Sequence, residues 1–181
     1  MSEAFAYLGL AVLAGGIVAR ELGPEGPKAG RGPTWAPGVK RPGKFFSWGE
    51  LVKTNTGLPN APTVEQGRNL VLLTRTLDQV REYVRRPMRV NSAFRSPAVN
   101  AKVGGAPNSR HLTGLAADVQ VLGLSAEDLS VSTIESGAPF DKLIWYPLTG
   151  HLHISVDPDR ARKRTLVAVA GGYVERAPVA A

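Results

Sequence analysis

His151-Leu152-His153-Ile154-Ser155-Val156 alternates polar and apolar side chains over six residues. Successive side chains on a strand point to opposite faces, so His151, His153 and Ser155 share one face and Leu152, Ile154 and Val156 point to a core. Such a strand is half buried, and its polar face has work other than packing.

Neighbouring segments extend this pattern into a sheet. Asp141 to Tyr146 is expected to be a strand, joined to His151–Val156 by the four-residue hairpin loop Pro147-Leu148-Thr149-Gly150. Ala117 to Val121 alternates in the same way, with Asp118 and Gln120 on one face and Val119 and Val121 on the other. Arg89 to Ser92 and Thr165 to Ala170 are further strand candidates. Leu70, Leu73, Leu77, Val80 and Val84 recur at three- and four-residue steps, which predicts one apolar stripe on a helix from Val64 to Arg85 that Pro87 ends. Ser125 followed by Asp128 predicts a capped helix to about Glu135. The sum is an α+β domain with a small, mostly antiparallel sheet and flanking helices.

All three histidines of the 181-residue chain fall near this sheet. His111 lies in the loop before the Asp118 strand. If the Asp118 and His153 strands are neighbours, the two side chains project into one space, and His111 completes a set of two imidazoles and one carboxylate. Three such ligands leave a fourth position of a zinc ion open for water or substrate, the arrangement of catalytic zinc sites, and zinc lowers the pKa of a coordinated water to about 7. The chain has no cysteine, so thiolate sites and disulfides are excluded and the ligands must be His, Asp or Glu.

Composition narrows the partners. With 22 Lys and Arg against 15 Asp and Glu, the chain carries a formal charge of +7, which favours anionic polymers. No helix-turn-helix or RNA-binding signature accompanies the charge, so an extracellular polymer is expected rather than a specific nucleic acid. Residues 4–19 are an uncharged, mostly apolar run of 16 residues, short of the roughly 20 that span a bilayer. With Glu3 and no basic residue before it, the run reads as a short anchor or docking helix within residues 1–22 rather than a cleaved signal. Residues 23–44 are rich in Gly, Pro and basic residues and are expected to be a linker, extended or wrapped on another part, with the catalytic domain at 45–181.

At the level of motifs, Ser109-x-His111-x-x-Gly114-x-Ala116-x-Asp118 resembles the first zinc motif of the peptidase M15 family, which comprises zinc D-Ala-D-Ala carboxypeptidases and L-alanyl-D-glutamate endopeptidases, phage endolysins among them. Ser92-Ala93-Phe94-Arg95-Ser96-Pro97-Ala98-Val99-Asn100, Phe140-Asp141-Lys142-Leu143-Ile144-Trp145 and His151-Leu152-His153-Ile154-Ser155 match further motifs in the family's order, over roughly residues 45–170. The resemblance implies a zinc site on the sheet face, with His111, Asp118 and His153 as ligands, and hydrolysis of peptide bonds in bacterial peptidoglycan. It places the protein outside the cytoplasm or on a virion, where residues 1–44 would contact membrane or other virion components. It assigns Arg95 to the substrate or a developing oxyanion, a role that suits a guanidinium, although a loop-fastening salt bridge would also account for it. Ser109 is expected to brace the His111 loop. Asp141 is either an orienting group near the site or a plain strand-end aspartate.

One departure stands out. Family members usually carry a carboxylate a few residues before the last histidine as general base. Here Gly150 lies three residues before His153, Tyr146 stands where some members carry glutamate, and no carboxylate lies between Asp141 and His153. The His-x-His pair resembles instead the related lysostaphin-type zinc peptidases. His151, two residues from His153 on the same face, is therefore expected to serve as the base, since an imidazole titrates near pH 6.5. Tyr146 is expected to be a core or surface tyrosine, with a hydrogen-bond donor to the oxyanion as the alternative. A zinc-binding module without turnover, part of a larger assembly, is the alternative.

Overall fold

The computed structural model describes residues 33–179. The apolar segment 1–22, expected to be an anchor or docking helix, lies outside these residues, as do the first ten residues of the expected linker. Among the described residues no helix is long and apolar enough to cross a membrane.

Four helices flank one sheet: α1 (Trp48–Val52), α2 (Val64–Val84), α3 (Pro97–Lys102) and α4 (Ala126–Glu135). The strands are β1 (Met88–Ser92), β2 (Ala116–Val121), β3 (Lys142–Tyr146), β4 (His151–Ser155), β5 (Arg164–Val169) and β6 (Gly172–Glu175), in the spatial order β1-β2-β4-β3-β5-β6. All neighbouring pairs are antiparallel except β3 with β5. The fold is thus α+β with a mostly antiparallel sheet. The short helices α1 and α3 and the edge strand β6 were not anticipated.

Local chemistry explains the long helix. Thr63 and Gln66 close both sides of a capping box at its start, satisfying two otherwise orphaned N–H groups. The stripe of Leu70, Leu73, Leu77 and Val80 is fully buried against the sheet, and Arg85 ends the helix in the left-handed conformation two residues before Pro87. From the other side, Leu143, Trp145, Leu152 and Ile154 fill the same core, as the alternation of β3 and β4 dictates. Truncating a leucine such as Leu73 to alanine in a core of this kind typically removes about 2–5 kcal/mol.

Residues 33–44, within the stretch expected to be a linker, lie along α2. Trp35 meets Trp48 edge-on with ring centroids 4.7 Å apart, and the Trp48 indole N–H donates to the Val39 carbonyl at 3.0 Å. Asp78 on α2 accepts the backbone N–H groups of Lys44 and Phe45. The approach depends on Gly67, because a Cβ there would stand 2.4 Å from the Trp35 carbonyl oxygen.

Candidate metal centre

The sheet register builds the site. Asp118 on β2 is paired with His153 on β4, and His153 with Ile144 on β3, so Asp118 and His153 sit side by side on the face away from the core. His111 arrives from a short 3-10 turn, Arg110–Thr113, just before β2. The Ser109 hydroxyl caps this turn by accepting the His111 N–H at 3.4 Å. Gly114 closes the turn at φ 75°, and a Cβ there would press within 2.7 Å of the Gln66 carbonyl oxygen on α2. Glycine is the residue that tolerates both demands.

Three donor atoms converge. Asp118 Oδ1 lies 2.9 Å from His153 Nδ1 and 3.3 Å from His111 Nε2, and the two ring nitrogens are 3.2 Å apart. Two ligands bound tetrahedrally at about 2.1 Å from one zinc ion stand roughly 3.4 Å apart. The spacing and the donor set fit such an ion. The tautomer of His111 fits as well: its Nδ1–H donates to the Ala93 carbonyl at 2.6 Å, which fixes the ring and leaves Nε2 to face the site. Burial alone would raise the pKa of Asp118, but its hydrogen bonds with His111 and then His153 hold the carboxyl well below the usual range. Burial pushes the His153 imidazole down, against the pull of Asp118, so this ring favours the neutral form that ligates metals.

The residues around the triad take distinct positions. Arg95 forms an ion pair with the second oxygen of Asp118, and its Nε donates to the Ser92 hydroxyl at 2.8 Å. Ser92 sits where the β1–β2 register slips; such bulges re-aim side chains beside active sites. His151 does not join the metal cluster. Its Nδ1 lies 2.7 Å from the Thr149 hydroxyl, and its ring stacks on Tyr146 with centroids 4.2 Å apart. Gln120 braces the hairpin loop below by donating to the carbonyls of Thr149 and Gly150. Burial lowers the pKa of His151, favouring the neutral imidazole. Burial, then the hydrogen bond with Tyr173, pushes the Tyr146 phenol up, so it remains a donor at neutral pH.

Asp141 does not face the triad. It is fully buried one residue before β3, and its carboxylate holds Arg162 through Nε at 2.7 Å, Nη2 at 2.5 Å and the backbone N–H at 3.2 Å. Arg162 in turn lines the cleft above the triad, a space of about 730 Å³. Arg110, Lys142 and Tyr173 also line it, and none of these four was singled out from the sequence. The alternation Lys142, Ile144, Tyr146 on a strand could have revealed Lys142. Nothing in the sequence marks Tyr173. Among the described residues that line the cleft, Asp118 is the only carboxylate.

A sheet face with His, Asp and His donors converging at an open cleft is a group that suits a metal ion. The family model described as Peptidase M15 matches residues 46–155, and the chain belongs to that family. Its peptidases are zinc-dependent metallopeptidases that act on peptidoglycan. No curated protein matches the chain.

Proposed function

We propose that the protein is a zinc-dependent peptidase that hydrolyses the stem peptides of bacterial peptidoglycan. The convergence of His111, Asp118 and His153 in an open cleft, with Arg95 and His151 beside them, carries this reading. A zinc ion held by those three side chains supplies Lewis acidity at the scissile carbonyl. The chain's own residues supply the rest. With Nδ1 engaged by Thr149, His151 presents Nε2 as the proton acceptor for the attacking water. As the new C–O bond forms, negative charge gathers on the carbonyl oxygen, where the Arg95 guanidinium and the Tyr146 hydroxyl are the available donors. His151 then returns the proton to the leaving amine as the C–N bond breaks. This substrate sets the work outside the cytoplasm or on a virion, and residues 1–32, ahead of the segment that lies along α2, serve to dock on membrane or virion components.

The test is release of new amino termini from purified peptidoglycan by zinc-loaded protein, with and without chelator. Release that depends on the metal supports the peptidase. A second reading is favoured by the cleft's single carboxylate: a module that keeps the metal but lacks turnover and serves a larger assembly. Stoichiometric zinc with no release from any peptidoglycan would establish that reading instead.

A further inference from the structure

The site face of the sheet is laid out in rows. The middle row holds Asp118, His153 and Ile144. One two-residue step along the strands, on one side, lie His151 and Tyr146, which Tyr173 of β6 joins through a hydroxyl contact of 3.2 Å. One step to the other side lie Ser155, Lys142 and Arg164. Arg110 and Arg162 reach into the cleft on that second side. The triad is thus flanked by an aromatic wall and by a basic wall.

The basic wall is short of anions. Asp157 is taken by Arg110 at 2.5 Å, Asp141 by Arg162, and Glu175 by Arg164 at 3.2 Å. The Lys142 ammonium makes no ion pair or hydrogen bond among the described residues, though its side chain is only partly exposed. Gathering cations in a concave site is unfavourable unless an anion is to be received there. Burial first, then the nearby Arg162, push the lysine's pKa down, against the pull of Asp141. Buried Asp141 also accepts two hydrogen bonds from the Arg162 guanidinium and a third from the Arg162 backbone N–H, so this arm of the wall is fixed before any ligand arrives.

We propose that Lys142, Arg162 and Arg110 form a subsite for a carboxylate that the substrate carries one or two residues from the scissile bond. This rests on the peptidase reading above. The distance is set by the fold: a two-residue step along a strand is about 7 Å, and an extended peptide advances about 3.5 Å per residue. A carboxylate at the scissile position itself would meet Arg95 instead. A charge-assisted hydrogen bond of this kind is worth about a 10- to 100-fold change in affinity.

The test uses a synthetic stem pentapeptide with every carboxylate free, and counterparts in which each carboxylate in turn is a primary amide. The zinc-loaded protein is expected to lose about 10- to 100-fold in kcat/KM, through KM, on one particular amidated peptide. Lys142→Gln should erase that preference and Lys142→Arg should restore it. Equal cleavage of all peptides by the wild type, or a preference that Lys142→Gln leaves intact, overturns the subsite. If no peptide is cleaved, the peptidase reading fails by itself, and binding decides the subsite. Fluorescence anisotropy of the labelled free and amidated peptides should then show discrimination by the wild type and none by Lys142→Gln. Absence of discrimination by the wild type, including no binding at all, overturns the proposal.

Discussion

The His151 imidazole lies nearly parallel to the Tyr146 ring, 16° from coplanar at 4.2 Å between centroids. The stack, with the Thr149 hydroxyl on Nδ1, orients a ring that lies outside the metal triad. His151→Ala should therefore leave zinc content at one ion per chain and reduce kcat by about 100- to 10,000-fold. Parallel metal analysis and amino-terminus release check this; unchanged kcat would remove His151 from the role of base.

Tyr146→Phe keeps the stack and deletes only the hydroxyl. If that hydroxyl meets the developing charge on the carbonyl oxygen, kcat should fall about 100-fold or more while KM changes little. Tyr173→Phe, which removes the partner 3.2 Å away, should have a smaller effect in the same assay. Steady-state kinetics on a single peptide separates the two variants.

The three ligand positions predict linkage between metal and stability. Zinc at 100 times its dissociation constant should stabilise the wild type by about 2.7 kcal/mol, visible as a raised melting temperature that a chelator reverses. His111→Ala, Asp118→Ala and His153→Ala should each abolish the shift. Gly114→Ala should weaken it, because the added Cβ displaces the turn that carries His111.

The buried Asp141 predicts a response to acid. Its hydrogen bonds from Arg162 lower its pKa in the folded state, so its contribution is fully present above the ordinary aspartate value of about 3.9 and is lost as pH falls through the lowered folded value. Asp141→Asn should reduce stability near neutral pH by about 1–3 kcal/mol. It should also flatten the loss below about pH 4. Urea melts between pH 3 and 7 give both quantities.

Gly67→Ala offers a reversal of sign. In an exposed helix interior this change usually stabilises by about 1 kcal/mol. Here the new Cβ collides with the Trp35 carbonyl, so the variant should be less stable, by about 1–3 kcal/mol. Denaturant midpoints of the two proteins decide it.

Much of the centre was legible because two of its three donor residues, Asp118 and His153, sit on strands with clear alternation. Asp118 and His153 could be placed on one face from period alone, and the β2–β4 pairing then brought them together. The Asp141–Arg162 pair was not legible. It joins residues 21 apart across the end of β3, and an acidic residue at a strand start has no signature of burial. The helices α1 and α3, of five and six residues, are too short to show a helical period. Every residue of β6 is exposed, so it shows no alternation of burial. The packing of Trp35 depends on tertiary contact with α2, which local composition rich in Gly and Pro conceals.

The order of the strands has a consequence for how such a protein can diversify. Asp118 and His153 occupy β2 and β4, strands with a neighbour on either side, where a change in register would disturb the whole core. Part of the rim comes from elsewhere: the loop from Val103 to Ser109 and, beyond the span that the family model matches, Arg162 ahead of β5 and Tyr173 on the outermost strand. The cleft is thus bounded partly by residues that share the triad's own turn and sheet, Arg110 and Lys142, and partly by Arg162 and Tyr173, which can be exchanged without touching the strands that carry Asp118 and His153.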